Sequence, residues 1–169
     1  MDKINFRGIN MCTTSGLLTA TGAETVYDTT VTIVYATNGK LATKTAVTDG
    51  ATPTTDYVTG AAFPALVGGA SVANTPGSGC IVVWGLVAGT VVCIMGPHSR
   101  LDMQGKFKHD APQFPAIPDN VVPFAYQVLK AGATASATAI IFGTANWNAT
   151  GFTNAIVNVA VLPDRPQVA

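Results

Sequence analysis

Residues 80–95, reading CIVVWGLVAGTVVCIM, constrain this chain more than any other segment, because they carry no charge and are dominated by β-branched side chains. At 16 residues the run falls short of the roughly 20 that a helix needs to cross hydrocarbon. Gly85 and Gly89 interrupt it, and its Val and Ile content favours strand, so it predicts a buried β-hairpin and no membrane span. A tight turn at Ala88-Gly89 sets Trp84 opposite Cys93 and Val82 opposite Met95, pairs that bury well. The same register places Cys80 opposite Pro97 and argues against a Cys80–Cys93 disulfide.

The rest of the chain reads as strands and turns. Val31, Ile33 and Tyr35 alternate with Thr32 and Val34, Asn38-Gly39 supplies a two-residue hairpin turn, and residues 41–47 return. Asp49-Gly50 and Pro53 end that hairpin, and residues 52–60 form a polar connection. Pro64 and Pro76 exclude a long helix from residues 61–79, leaving short strands and turns. Further strands are expected at residues 124–130, 138–142 and 156–162, with a loop at 143–153 and a surface tail from Leu162. About eight short strands without a convincing amphipathic helix predict an all-β fold, a β-sandwich or jelly-roll-like barrel. Residues 1–23 lack apolar periodicity and read as an extended N-terminal arm; residues 24–169 read as a single β domain.

Within that domain, residues 110–123 form a proline-rich strap. Pro112, Pro115, Pro118 and Pro123 each fix φ, lack an N–H and bias the preceding residue toward extended geometry, so the segment arrives pre-ordered for lying against a partner. Charged residues are only 11% of the chain, against roughly 25% in ordinary soluble domains. Such an exterior is poorly protected against association and predicts a surface covered by other chains. Nine basic residues balance nine acidic ones, and the longest basic cluster is Lys106-Phe107-Lys108-His109, which argues against nucleic acid as a partner. Cys12, Cys80 and Cys93 are odd in number without CxxC spacing and are expected as reduced, partly buried thiols. Asp2, Lys3 and Arg7 follow Met1 without an apolar stretch, so no signal peptide is expected.

Candidate chemistry is sparse. His98, His109, Asp102 and Asp110 are the one site-like cluster, and Ser99 beside His98 points to the opposite face of a strand. No nucleophile elbow, zinc-protease helix or phosphate-binding glycine loop is present, so no catalytic residue and no cofactor is assigned. Cys93, His98 and His109 match no zinc-ligand spacing, and no metal is assigned. Tyr126, Trp147 and Phe152 could stack on sugar rings, but core packing explains aromatics equally. Trp147 stands out because it sits in the polar loop NWNATGF, either tucked inward or offered to a partner.

From about residue 98 onward the chain resembles the head decoration, or cement, proteins of tailed bacteriophages. The resemblance is carried by Phe114-Pro115-Ala116-Ile117-Pro118 leading into Pro123-Phe124-Ala125-Tyr126, and by the ending Val159-Ala160-Val161-Leu162-Pro163-Asp164-Arg165-Pro166. It implies a β-rich virion subunit, commonly a homotrimer, made in the host cytoplasm and fastened on the capsid lattice of major capsid protein, with no catalytic residue. The candidate contacts to capsid or neighbouring subunit are Asn5, Phe6 and Ile9 in the arm, Phe114 and Ile117 in the strap, and Trp147. The competing readings are a tail-fibre or receptor-binding module that recognises a host glycan or protein, a jelly-roll coat subunit, and a hydrolase or lectin fragment. Residues 1–23 hold only Lys3 and Arg7 as basic residues, which disfavours a nucleic-acid-packaging coat, and the missing site disfavours the hydrolase.

Overall fold

The computed structural model describes residues 10–20, 25–68, 77–102, 104–108, 112–132, 140–145 and 152–166. Among these the fold is all-β: eleven strands and no helix. The strands are β1 (Met11–Thr14), β2 (Leu18–Ala20), β3 (Val26–Thr29), β4 (Ile33–Thr37), β5 (Lys40–Lys44), β6 (Val47–Ala51), β7 (Ser78–Val87), β8 (Thr90–Met95), β9 (Ser99–Arg100), β10 (Val122–Ala131) and β11 (Phe152–Asn158). They pair antiparallel in three sheets, ordered β1-β4-β5, β2-β3-β6 and β11-β10-β7-β8, with β9 also on β7.

The third sheet explains the uncharged run. Side chains alternate across a strand, so β7 sends Cys80, Val82, Trp84 and Leu86 into one core and Ile81 and Val83 into another on the opposite face. Both faces are covered, which is why the sequence shows no apolar–polar alternation here. The first core is closed by Cys12, Leu18, Tyr27, Ile33 and Tyr35 from the two smaller sheets and by Phe63, Leu66, Ile140 and Phe142 from connecting segments. Trp84 lies at its centre, edge-on to Tyr27 at 5.1 Å and to Phe142 at 5.8 Å, with Nε1 donating to Gln127 Oε1 at 3.2 Å. The second core is Ile81, Val83, Tyr126 and Val128, and the strap covers it: Phe114 stands edge-on to Tyr126 at 5.1 Å and Ile117 packs beside it.

The β7–β8 hairpin forms in the predicted register, Trp84 opposite Cys93 and Val82 opposite Met95. Ala88 and Gly89 both have positive φ, 48° and 83°, as a two-residue primed turn requires. Beyond Met95 the ladder continues through Gly96 N to Ile81 O (2.7 Å) and resumes with Ser99 opposite Gly79, leaving one extra residue on the β8–β9 side. That bulge holds Pro97, which has no N–H to contribute. Gly96 is required here because the strap crosses it; a Cβ would stand 2.6 Å from Gln113 O. Cys80 pairs with Leu129 of β10, not with Cys93, and all three thiols are free and buried.

Elsewhere the structure corrects several expectations. The Asn38-Gly39 hairpin is present, but residues 41–47 are not one strand: β5 ends at Lys44 and β6 begins at Val47 in a different sheet. Asp49-Gly50 does not terminate a strand but lies inside β6. Asp49 takes φ 53° at a bulge where Thr29 Oγ1 and Asp28 Oδ1 accept the N–H groups of Val47 (2.8 Å) and Asp49 (2.7 Å) in place of ladder carbonyls. Part of the expected arm is strand, since β1 pairs with β4 and β2 with β3 and both bury a side chain, Cys12 and Leu18. Their sequences lack apolar alternation because ladder hydrogen bonds, more than burial, hold them. The strand expected at residues 138–142 reduces among the described residues to one bridge, Ile140 to Leu66, with Phe142 in a turn. The last strand lies earlier than expected, ending at Asn158, because Val159 N still reaches Phe124 O whereas Ala160 O accepts from Cys12 N of β1.

Asn158 joins two sheets. Its Oδ1 accepts from Leu18 N at 2.7 Å and its Nδ2 donates to Leu18 O at 3.4 Å, so one side-chain amide substitutes for a strand neighbour of β2. Replacing it with Leu keeps the volume but strips both partners from a partly buried peptide group. Asn158→Leu is expected to cost about 1–3 kcal/mol, read as a lower urea midpoint with an unchanged denaturant slope.

Candidate functional site

Of the site-like cluster in the sequence, the one described carboxylate, Asp102, is engaged by backbone. Asp102 closes the small hairpin bridged at Leu101 and Phe107, its Oδ1 accepting from Gln104 N (2.9 Å) and Lys106 N (2.8 Å). Asp56 is buried and accepts four hydrogen bonds: Val58 N (2.9 Å), Thr59 N (3.0 Å) and Thr59 Oγ1 (3.3 Å) at Oδ1, and Met95 N (2.8 Å) at Oδ2. Tyr57 N donates to Cys93 O at 3.0 Å. Residues 56 and 57 therefore occupy two outward-facing groups near the end of β8, Met95 N–H and Cys93 C=O, and cover that part of the sheet edge. His98 is exposed, and partial burial of its ring lowers its pKa; Cys93 is buried in the first core. His109 and Asp110 lie outside the described residues. Among the described residues no three His, Cys, Asp or Glu side chains converge on a point that could hold a metal.

The remaining candidate is a groove of about 560 Å³ between the end of the strap, the segment after β11 and the start of β1. Ile117, Pro118 and Pro123 form one wall; Val161 and Leu162 form the other. Asn10 fixes the mouth, because its Nδ2 donates to Asp119 O and its Oδ1 accepts from Asn38 N at 3.2 Å. Met11, Ala36 and Leu41 stand in register across β1-β4-β5 on the face opposite Cys12 and Tyr35; Ala36 is buried and Met11 half-buried, whereas Leu41 is 73% exposed and Val161, on the groove wall, 61%. A smaller hollow of about 370 Å³ lies under Pro115 between Pro64, Pro97 and Asp56, and its one carboxylate is the Asp56 group already holding four donors.

Of the predicted contact residues, Phe114 and Ile117 are half-buried against the protein's own sheet, and Ile117 also faces the groove. Asn5, Phe6, Ile9 and Trp147 lie outside the described residues. The other two aromatics considered for sugar stacking are turned inward: Tyr126 belongs to the second core and Phe152 packs on the first. Sequence reasoning missed Asn10, Asp119 and Val161. It also missed Asp56, although Asp56-Tyr57-Val58-Thr59-Gly60 carries a legible signal, an Asp followed by N–H groups two and three residues on and a Gly at φ 68°.

Removing the Asp56 carboxylate frees the N–H groups of Val58, Thr59 and Met95 at once. Asp56→Ala is expected to destabilise by at least ~3 kcal/mol, given about 1.5–3 kcal/mol for each hydrogen bond to a charged group, measured by chemical denaturation. The thiols give a pH test. Burial pushes Cys12 from 9.0 up to about 11 and Cys80 up to about 12, and raises Cys93 well above 9.0 with the Asp56 charge adding to the effect. The folded state thus holds these protons more tightly than the unfolded chain. That stability is fully present below pH 9 and declines as pH climbs from 9 toward 12, so the melting temperature should fall across that window. Below it, a thiol reagent should leave the native protein unmodified and label three cysteines per chain in denaturant. The sequence matches no protein-family model, and no curated protein and no solved structure shows significant similarity to the chain.

Proposed function

We propose that the chain is a structural virion subunit that decorates and stabilises a phage capsid by binding the lattice of major capsid protein, as a homotrimer on the capsid surface and without catalysis. The observation that carries this reading is the groove beside the strap, with Val161 and, elsewhere, Leu41 as exposed apolar side chains, on a chain with only 11% charged residues. A surface of that kind favours burial against other subunits. The carboxylates of Asp28, Asp56 and Asp102 hold backbone N–H groups, which suits a rigid fastener better than a reaction centre. The single core shared by the two smaller sheets and the β11-β10-β7-β8 sheet supports a sandwich-like, jelly-roll-related arrangement. Binding only to the assembled lattice would stabilise it by mass action, and three linked copies would add avidity to weak contacts.

Sedimentation of the purified chain, alone and mixed with stripped phage capsids, tests the proposal. The expected result is a species of three 17.3-kDa chains that co-sediments with shells and raises their rupture temperature. A trimer that ignores shells and binds host cells instead replaces this reading with receptor binding. A monomer that does neither overturns it.

A further inference from the structure

We infer that the hairpin of residues 99–102 and 104–108 is a docking surface for a carboxylate-rich segment of a partner protein, whether or not the chain decorates a capsid.

The register of the hairpin sorts its side chains into two faces. β9 lies along β7, Leu101 N donates to Gly77 O at 2.8 Å, and Leu101 bridges Phe107 on the return. That bridge sets Arg100 opposite Lys108 and Asp102 opposite Lys106, with Lys108 N donating to Arg100 O at 2.9 Å and Asp102 N to Lys106 O at 2.7 Å. Alternation then turns Leu101 and Phe107 to one face and Arg100, Asp102, Lys106 and Lys108 to the other. Leu101 is fully buried, and Phe107 packs on the second core across Gly79, where a Cβ would stand 2.8 Å from its ring. Lys130, opposite Gly79 in the β10–β7 ladder, holds its ammonium 5.4 Å from the Phe107 ring centroid. The inward face is thus anchored to the body, and the outward face presents Arg100, Lys106 and Lys108, all exposed.

Two features separate this face from an ordinary solvated turn. Arg100 and Lys108 stand directly opposite each other, an arrangement of like charges that costs stability in a sheet. Among the described residues neither they nor Lys106 forms an ion pair. The one carboxylate on the face, Asp102, is engaged by the turn, its Oδ1 accepting from Gln104 N and Lys106 N. The face also gathers three of the chain's nine basic residues. A patch of one sign left uncompensated within the chain is complementary to an anionic partner. Because the backbone beneath it is held by the ladder and by Leu101, little entropy is lost when that partner lands.

The anion that fits is a carboxylate surface and not a nucleic acid. Nucleic-acid binding draws on bases stacked against aromatic rings and on a field that reaches well beyond the surface. Phe107, the aromatic of the hairpin, is turned inward, and the net charge of the whole chain is zero.

Amide spectra of the nitrogen-labelled chain, titrated with a decaglutamate peptide, test this. At about 10 mM salt, where the Debye length is about 30 Å, the shifts are expected at Arg100, Lys106, Lys108 and their neighbours; at about 1 M, where it is about 3 Å, they vanish. The triple variant Arg100→Gln, Lys106→Gln, Lys108→Gln keeps the parent spectrum outside the hairpin and binds the peptide at least about tenfold more weakly, equivalent to ~1.4 kcal/mol. The control Lys40→Gln with Arg165→Gln removes exposed cations elsewhere and binds as the parent does. A parent chain that ignores decaglutamate, or a triple variant that binds it as well as the parent, overturns the inference. A thymidine oligonucleotide that occupies the hairpin more tightly than decaglutamate overturns the choice of partner in favour of nucleic acid.

Discussion

Everything else in this structure follows from the two-sided burial of β7. Side chains from Cys80 through Leu86 are inaccessible on both faces, and a strand of that composition has no stable state with either face open to water. Burying each large apolar side chain is worth roughly 1.5–3 kcal/mol, so the strand demands two covers. The chain supplies them by different means. One face is closed by the β1-β4-β5 and β2-β3-β6 sheets, which add Tyr27, Ile33 and Tyr35 around Trp84. The other is closed, among the described residues, not by a second sheet but by the strap, with help from Phe107 and Leu162. The prolines make this second cover feasible: an extended chain with φ already fixed loses less entropy on lying down than an ordinary loop would.

A second device recurs wherever the sheets must join or stop. Asn158 pairs with both backbone groups of Leu18, Asp56 takes the outward N–H of Met95, Asp28 and Thr29 complete the β6 bulge, and Asn10 links Asp119 to Asn38. In each case a short polar side chain substitutes for a strand that is not there. This matters for function because the chain has only nine acidic residues, and Asp28, Asp56 and Asp102 are committed in this way. Carboxylates tied to backbone donors are poor candidates for proton transfer, since their lone pairs and positions are fixed by the fold.

The legible parts of the fold are those set by local chemistry. Asn38-Gly39 and Ala88-Gly89 place φ above zero at two successive residues, and from each the strand register follows without further information. The run 124–130 announces β10 because it is apolar and follows Pro123. What the sequence hides is set by distant partners. β1 reads MCTT and becomes a strand only because β4 offers it a ladder; Asp49-Gly50 reads as a turn and becomes a bulge only because Asp28 and Thr29 face it. The strap illustrates the same divide for the site. Its extended geometry and its apolar Phe114 and Ile117 are readable from four prolines and their spacing, whereas the surface those side chains meet is decided by Tyr126 on a strand whose two faces look alike in sequence.

That last point refines how such a strap can serve a partner. Phe114 is turned onto Tyr126, so its ring contributes to holding the second core shut. Ile117 is shared, packed on that core yet lining the groove with Pro118 and Val161. A contact made at Ile117 therefore bears on a segment that is already rigid, and the entropy of ordering the strap is lost during folding and not during association. Under the proposed decoration of a capsid lattice, this ordering in advance would let a narrow apolar face suffice, because little of the binding free energy would be diverted into arranging the surface that binds.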